Sequence, residues 1–431
     1  MTISRLSNPP TEPPAECELI DGEVTLRARW VVPISGPPIE NGFVVVSGGR
    51  VVRVGQVPQS QPVADGSVKD LGDVAVLPGL VNAHTHLEFS DLDAPIGNPG
   101  MELAEWIVQV VRARREALSR APDALTPRTT VAQGVSEALA SGTALIGEIA
   151  STPWPGGDSR WDDQQAITVV AFAEVLGLTP ERAAEKFALA REHVDSIRPF
   201  SGVSPHAPYS TPLELISRCI ELAVQVDCPL AMHVAESPAE RELLTQGTGP
   251  FAENLTILGF DVAKMFPWRQ AEPIQTLIEL LARAPASLLV HGNDLQPHEI
   301  ACLAEHPSIS VVYCPRTHAF FGHARHPVAD LIAAGVNVAL GTDSRASNPD
   351  LQLWREVRHL LNHRQDLLPA TVLEMATLAG ARAMRQDDRY GAIAPGRATT
   401  FAFVPTTAAD VETLYADFAS LDASSAAALQ S

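Results

Sequence analysis

The chain has 431 residues, too many for one ordinary compact domain but enough for an α/β barrel of about 250 residues with a smaller partner. Its 51 acidic and 31 basic residues give a formal net charge of −20, so there is no basic excess to neutralise phosphates, and a nucleic-acid surface is disfavoured. Hydrophobic residues make up 45% and charged residues 19%, the balance of a soluble globular protein.

Residues 1–16 are rich in Pro, Ser and Thr and read as a disordered tail. They carry no apolar h-region, and no apolar run reaches the roughly 20 residues that span a bilayer, so neither a signal peptide nor a membrane partner is expected. Five cysteines (Cys17, Cys219, Cys228, Cys302 and Cys314) include no CxxC pair. The odd count speaks against a disulfide framework and fits a reducing cytoplasm.

From Gly22 to Gln56, GEVTLRARWVVPI and GFVVVSGGRVVRVG are β-branched runs broken by Pro and Gly, read as strands and hairpins. Eight apolar runs then alternate with helical stretches: LPGLVNAHTHL, GTALIGEI, ITVVAFAEVLG, FSGVSPH, PLAMHVAE, SLLVHG, ISVVYCP and VNVALGTD. Alternation of strand and helix predicts parallel strands with crossover helices, and eight repeats predict a closed (β/α)8 barrel. The segment from Ser237 to Thr276 reads as a long loop, of the kind that is often a functional lid, with disorder as the plainer alternative. After residue 388, YGAIAPGRATTFAFVP is strand-like again, and SLDASSAAALQS reads as a mobile end. The expected organisation is a composite β domain from 17–78 and 388–431 beside a barrel of 79–387.

Polar residues cluster at the predicted strand ends. His84 and His86 are two apart, so a strand puts both on one face; Glu88 joins them if the strand continues. Alone, the pair reads equally as hydrogen-bonded core histidines. It gains weight from His206 after the fourth run, His233 on the fifth, His291 on the sixth and Asp343 after the eighth, because barrel active sites lie at the C-terminal strand ends. Neutral imidazole and carboxylate suit zinc or ferrous iron, and such an ion lowers the pKa of a bound water towards roughly 7. Glu236, three residues past His233, is a candidate general acid/base; the other reading is an acid at a helix N-terminus.

In this order, PGLVNAHTHLEFS, SPHAPYS, MHVAES, HGNDL and GTDS resemble the amidohydrolase superfamily, in its deaminase and chlorohydrolase branch. The resemblance covers about residues 20 to 405. It departs at Ala398–Thr399–Thr400, where Asp-Ala-Asp is common; this touches a structural turn and leaves the chemistry alone. The resemblance implies one divalent ion, zinc ahead of iron, on His84, His86, His233 and Asp343. It further implies Glu236 as proton shuttle, His291 as the group that polarises the attacked centre, His206 as a substrate contact, and a homodimer. FSGVSPH has no lysine and Lys186 falls in a helix-like run, so no bridging ligand for a second ion is visible.

The expected activity is hydrolytic deamination of an amino-substituted heterocycle, a small-molecule substrate, with release of ammonia. Displacement of halide or alkylamine and opening of a cyclic amide are the alternatives within the same fold. A non-catalytic barrel scaffold is the alternative of another class. Glu88 and Arg316 are further expected substrate contacts, Arg316 reading equally as a partner of the protein's own carboxylates. His318, His323 and His326 read as solvent-facing more readily than as substrate contacts. His359 and His363 read as residues of a surface helix, and Glu148 and Glu174 as either pocket groups or partners of internal donors.

Overall fold

A computed structural model describes residues 22–56, 68–120, 128–156, 167–265 and 272–425. The tail expected over residues 1–16 lies outside the described residues.

The first sheet uses both halves of the chain. Its strands are β1 (Val24–Val31), β2 (Ile39–Ser47), β3 (Arg50–Gln56), β4 (Val68–Asp70), β5 (Val74–Pro78), β14 (Phe401–Pro405) and β15 (Ser424–Ser425). The order is β15-β14-β5-β1-β2-β3, with β4 also on β1. Gly48 and Gly49, at φ 55° and 71°, turn β2 into β3, a conformation glycine adopts without steric cost. Inward-facing Val31, Val44, Val76, Ile393 and Phe403 make its core. Ser424–Ser425 pairs with β14, so the stretch read as a mobile end is held in this sheet as far as Ser425.

Gly79 alone separates β5 from the barrel, whose strands are β6 (Leu80–Thr85), β7 (Thr143–Ala150), β8 (Thr168–Val175), β9 (Ser201–Pro205), β10 (Leu230–Val234), β11 (Ser287–His291), β12 (Ile309–Tyr313) and β13 (Asn337–Leu340). These are the eight predicted runs, parallel and hydrogen-bonded in chain order. Every residue of β7, β9, β10, β11 and β12 is buried, as expected of strands covered on both faces.

The barrel closes between its last and first strands. The amides of Thr342 and Asp343 both donate to the His84 carbonyl at 3.1 Å. Asn82 adds two bonds across this seam, Nδ2 to Thr342 Oγ1 at 2.8 Å and Oδ1 from the Thr342 amide at 3.1 Å.

Among the described residues, the stretch from Ser237 to Thr276 is helical rather than an open loop. It carries the helices Pro238–Gln246, Pro250–Ile257 and Val262–Met265 and the first turn of Pro273–Leu281. Three of these four helices start on proline, whose fixed φ suits the first helical position and whose missing N–H is not needed there. Among the described residues no helix is long and apolar enough to cross a membrane.

Candidate metal centre

The C-terminal mouth of the barrel holds the predicted residues. His84 is on β6, and His86 follows it in extended conformation (φ −124°, ψ 92°), so both rings face the barrel axis. The strand does not continue to Glu88. A tight 3-10 turn, Leu87–Phe89, takes its place, braced by the buried Glu148 carboxylate accepting from the Leu87 amide at 2.8 Å. Glu148 is thereby an acceptor for an internal donor and not a group of the cavity.

Ring centres of His84 lie 4.9 Å from those of His86 and of His233, and 5.7 Å from that of His291. Asp343 Oδ1 stands 3.7 Å from His84 Nε2 and 3.8 Å from His86 Nε2. Donor atoms of His84, His86 and Asp343 fall within 4.8 Å of one another, and so do those of His84, His233 and His291.

The donor chemistry fits a divalent ion. His84 is fully buried and neither of its ring nitrogens has a hydrogen-bond partner, a costly arrangement that an ion at the centre of the set relieves. His233 Nδ1 donates to the His206 carbonyl at 2.8 Å, which leaves Nε2 with its lone pair towards the set. Burial holds His84, His86 and His291 well below the ordinary histidine value and His233 at about 4, so the rings are neutral, the form that ligates. Asp343 accepts from the Ser344 amide at 2.8 Å on Oδ1 and from Ser347 Oγ at 3.0 Å on Oδ2. The fourth barrel strand, β9, has no lysine, and Lys186 lies on the helix Pro180–Ser196.

Glu236 stands beside this set, with Oε1 3.4 Å from His291 Nε2. Burial, then the charges of Asp343 and Glu240, push its carboxyl well above the ordinary range. It is not the acid at the helix N-terminus. That place belongs to Glu240, third residue of the helix capped by Ser237, whose two oxygens accept from the amides of Ala235 (2.8 Å) and Glu236 (3.0 Å). Ala235, His291 and Asp343 all have positive φ, at 54°, 71° and 57°. Left-handed backbone at non-glycine residues concentrates where a site over-determines it. Nothing in the sequence reveals Glu240 as a brace except the Ser-x-x-Glu spacing ahead of an apolar run.

A cavity of about 990 Å³ opens from the centre to the surface. Its wall includes Glu88, Glu174, His206 and Tyr209, and further out Trp106, Phe251 and Leu255. Glu88 lines it although the strand ends early, and its Oε2 is held by Arg114 at 2.8 Å and Ser151 at 2.7 Å. His206 Nδ1 meets Ser210 Oγ at 2.6 Å, and burial takes the ring down to about 4.

Arg316 does not reach this cavity. Its guanidinium grips Asp350 in two bonds of 2.8 and 2.9 Å, and its amide donates to the buried Glu356 at 2.8 Å. The expectation of a substrate contact gives way to pairing with internal carboxylates, because two of them lie buried within its reach. Arg316→Ala should leave KM near wild type but cost about 3–5 kcal/mol of stability, by stranding buried carboxylates. Urea unfolding of the variant measures this, and a raised KM with unchanged stability would restore the contact.

The other histidines lie outside the cavity wall. His326 is buried rather than solvent-facing: it stacks on Tyr313 at 3.8 Å, and its Nε2 donates to the His291 carbonyl at 2.9 Å. His359 and His363 stack on each other at 4.4 Å along the helix Leu353–His363, with His363 exposed.

An eight-stranded α/β barrel with imidazoles and a carboxylate converging at its C-terminal mouth, beside a buried acid, defines a metal-dependent hydrolase. The chain belongs to the amidohydrolase family, whose pattern matches residues 75–424. Its fold and donor set are those of a metal-dependent hydrolase of that family. It is 27% identical to 5-methylthioadenosine/S-adenosylhomocysteine deaminase of Lawsonia intracellularis, over 83% of this chain and 77% of that one. It is 28% identical to aminodeoxyfutalosine deaminase of Deinococcus radiodurans, over 79% and 81%. An adenosine deaminase of Xanthomonas campestris, solved with bound zinc, superposes with a TM-score of 0.71 at 26% identity, covering 94% of this chain and 90% of that one.

Proposed function

We propose that the protein is a zinc-dependent aminohydrolase that removes the exocyclic amine of an adenosine-type nucleoside. The observation that carries this reading is the buried Glu236 carboxyl, 3.4 Å from His291, opening on the same cavity as the His/Asp donor set. The names of the three relatives support the nucleoside.

His84, His86, His233 and Asp343 would hold the ion; three imidazoles and one carboxylate suit zinc, with ferrous iron the second choice. When bound, the ion supplies Lewis-acid activation of water at neutral pH. Asp343, oriented by Ser344 and Ser347, takes up the proton released as the water attacks. Glu236 passes that proton on to the ring nitrogen next to the attacked carbon, and then carries the remaining proton of the attacking water to the departing amine, which leaves both carboxylates as they began. His291, whose carbonyl is tied to His326, presents its ring to the charge that develops at the attacked centre. His206 and Glu88 contact the substrate from the cavity wall.

Loss of halide needs no proton donor for the leaving group, whereas an amine must be protonated to leave. Glu236 therefore favours deamination over the chlorohydrolase alternative. A scaffold has no use for an orphaned buried imidazole beside an acid.

The test is an ammonia-release screen of metal-replete protein across adenosine, 5′-substituted adenosines, free bases, pterins and triazines. Release from adenosine-type nucleosides is the expected result. Turnover confined to halogenated or alkylamino triazines, or to sugar-free rings, would overturn the reading.

A further inference from the structure

Five carboxylates line the cavity: Glu88, Glu116, Glu174, Glu236 and Asp343. Glu88 is held by Arg114 and Ser151, Asp343 by Ser344 and Ser347, and Glu236 faces His291. Glu116 sits on the exposed outer helix, Leu103–Arg120. Glu174 is different. It is the penultimate residue of β8, its side chain is 12% exposed, and among the described residues no hydrogen bond reaches its carboxylate. The nearest ring nitrogen, His206 Nε2, is 4.0 Å away, beyond hydrogen-bonding range. A carboxylate that lines the cavity with no protein donor on it has its oxygens open to the donors a ligand brings.

The chemistry of those donors follows by elimination. A carboxylate offers two adjacent acceptor oxygens and no donor. The ring nitrogens of an adenine nucleoside that face a pocket are acceptors, and the exocyclic amine is expelled at the metal centre. The donors left on the molecule are the sugar hydroxyls. Glu174 is also placed for them. His206 lies against His233, with ring centres 5.0 Å apart, and Glu174 Oε1 stands 4.0 Å from His206 Nε2. It therefore shares the cavity wall with the donor set, near enough to meet a group attached to the reacting ring.

We propose that Glu174 is a specificity-determining residue that accepts hydrogen bonds from the vicinal 2′- and 3′-hydroxyls of a ribonucleoside, which makes the enzyme a reader of the sugar as well as of the base. This rests on the reading of the site as a nucleoside aminohydrolase. Lys186, half-buried in the same wall, adds a favourable charge near Glu174 without a hydrogen bond to either oxygen.

Steady-state kinetics on an adenosine-type ribonucleoside and its 2′-deoxy and 3′-deoxy counterparts test the proposal, with wild type, Glu174→Gln and Glu174→Ala. Metal content and melting temperature are measured alongside. The wild type should favour the ribonucleoside on the order of 10–100-fold in kcat/KM, carried mainly by KM, as for a charged hydrogen bond to a hydroxyl. The preference should shrink to within about threefold in Glu174→Ala, which has no acceptor, and fall part of the way in Glu174→Gln, which keeps one neutral acceptor oxygen. A wild type indifferent to the hydroxyls, or a preference kept by folded, metal-replete variants, would overturn the role of Glu174 and leave the deaminase reading intact. If the wild type releases ammonia only from sugar-free rings, the nucleoside reading fails first and this inference falls with it.

Discussion

Glu236→Gln should lower kcat by about 10²–10⁴-fold, the range over which a positioned acid or base contributes, while metal content stays at the wild-type level. The substitution isolates proton transfer because the backbone at this point is fixed independently of the side chain. Glu240 accepts from the Glu236 amide, and Asn293 Nδ2 donates to its carbonyl at 2.9 Å. Glutamine keeps the shape and removes the titrating proton. Ammonia-release kinetics with parallel metal analysis give the answer. A kcat within about tenfold of wild type would remove Glu236 from the proton path.

His84→Ala should abolish stoichiometric metal binding, and turnover with it. The loss should exceed the roughly 10–100-fold that removing a residue which merely braces a ligand costs in affinity or activity. The barrel should survive, because the bonds that close it use the His84 carbonyl, which alanine retains. The separation of the two effects is measurable. Chelation should lower the melting temperature of the wild type, since an ion that binds only the folded chain stabilises it by mass action. It should leave that of the variant unmoved. A variant that still purifies with one equivalent of metal would exclude His84 from the donor set.

Much of this was legible in the sequence because periodicity and position coincide. Runs buried on both faces are continuously apolar, so the eight barrel strands stood out, and a polar residue at the end of such a run is conspicuous. His84, His233, His291 and Asp343 were visible for that reason. Contacts set by tertiary placement were not. Arg316 reads the same whether it meets a ligand or Asp350, which is 34 positions away. Glu88 was expected on a continuing strand and reached the cavity from a 3-10 turn instead, because Glu148, 61 positions along from Leu87, braces that turn. The segment after Ser237 looked like a loop because its helices are short. Yet Ser237–Pro238–Ala239–Glu240, Gly249–Pro250 and Glu272–Pro273 each carry a helix-start signal that outweighs the lack of a long apolar period. His326 looked like a loop histidine, and only packing on Tyr313 shows it as a brace for His291.

The seam between β6 and β13 has a consequence for the order in which the molecule is made. Thr85 and Asp343, neighbours across it, are 258 positions apart in the chain. On the ribosome, His84 and His86 emerge long before the carboxylate that completes their surroundings, and contacts of such separation are among the last a chain can form. The full donor set therefore comes together only when β13 has met β6, so an ion that needs all four donors would be held only once the ring has joined end to end.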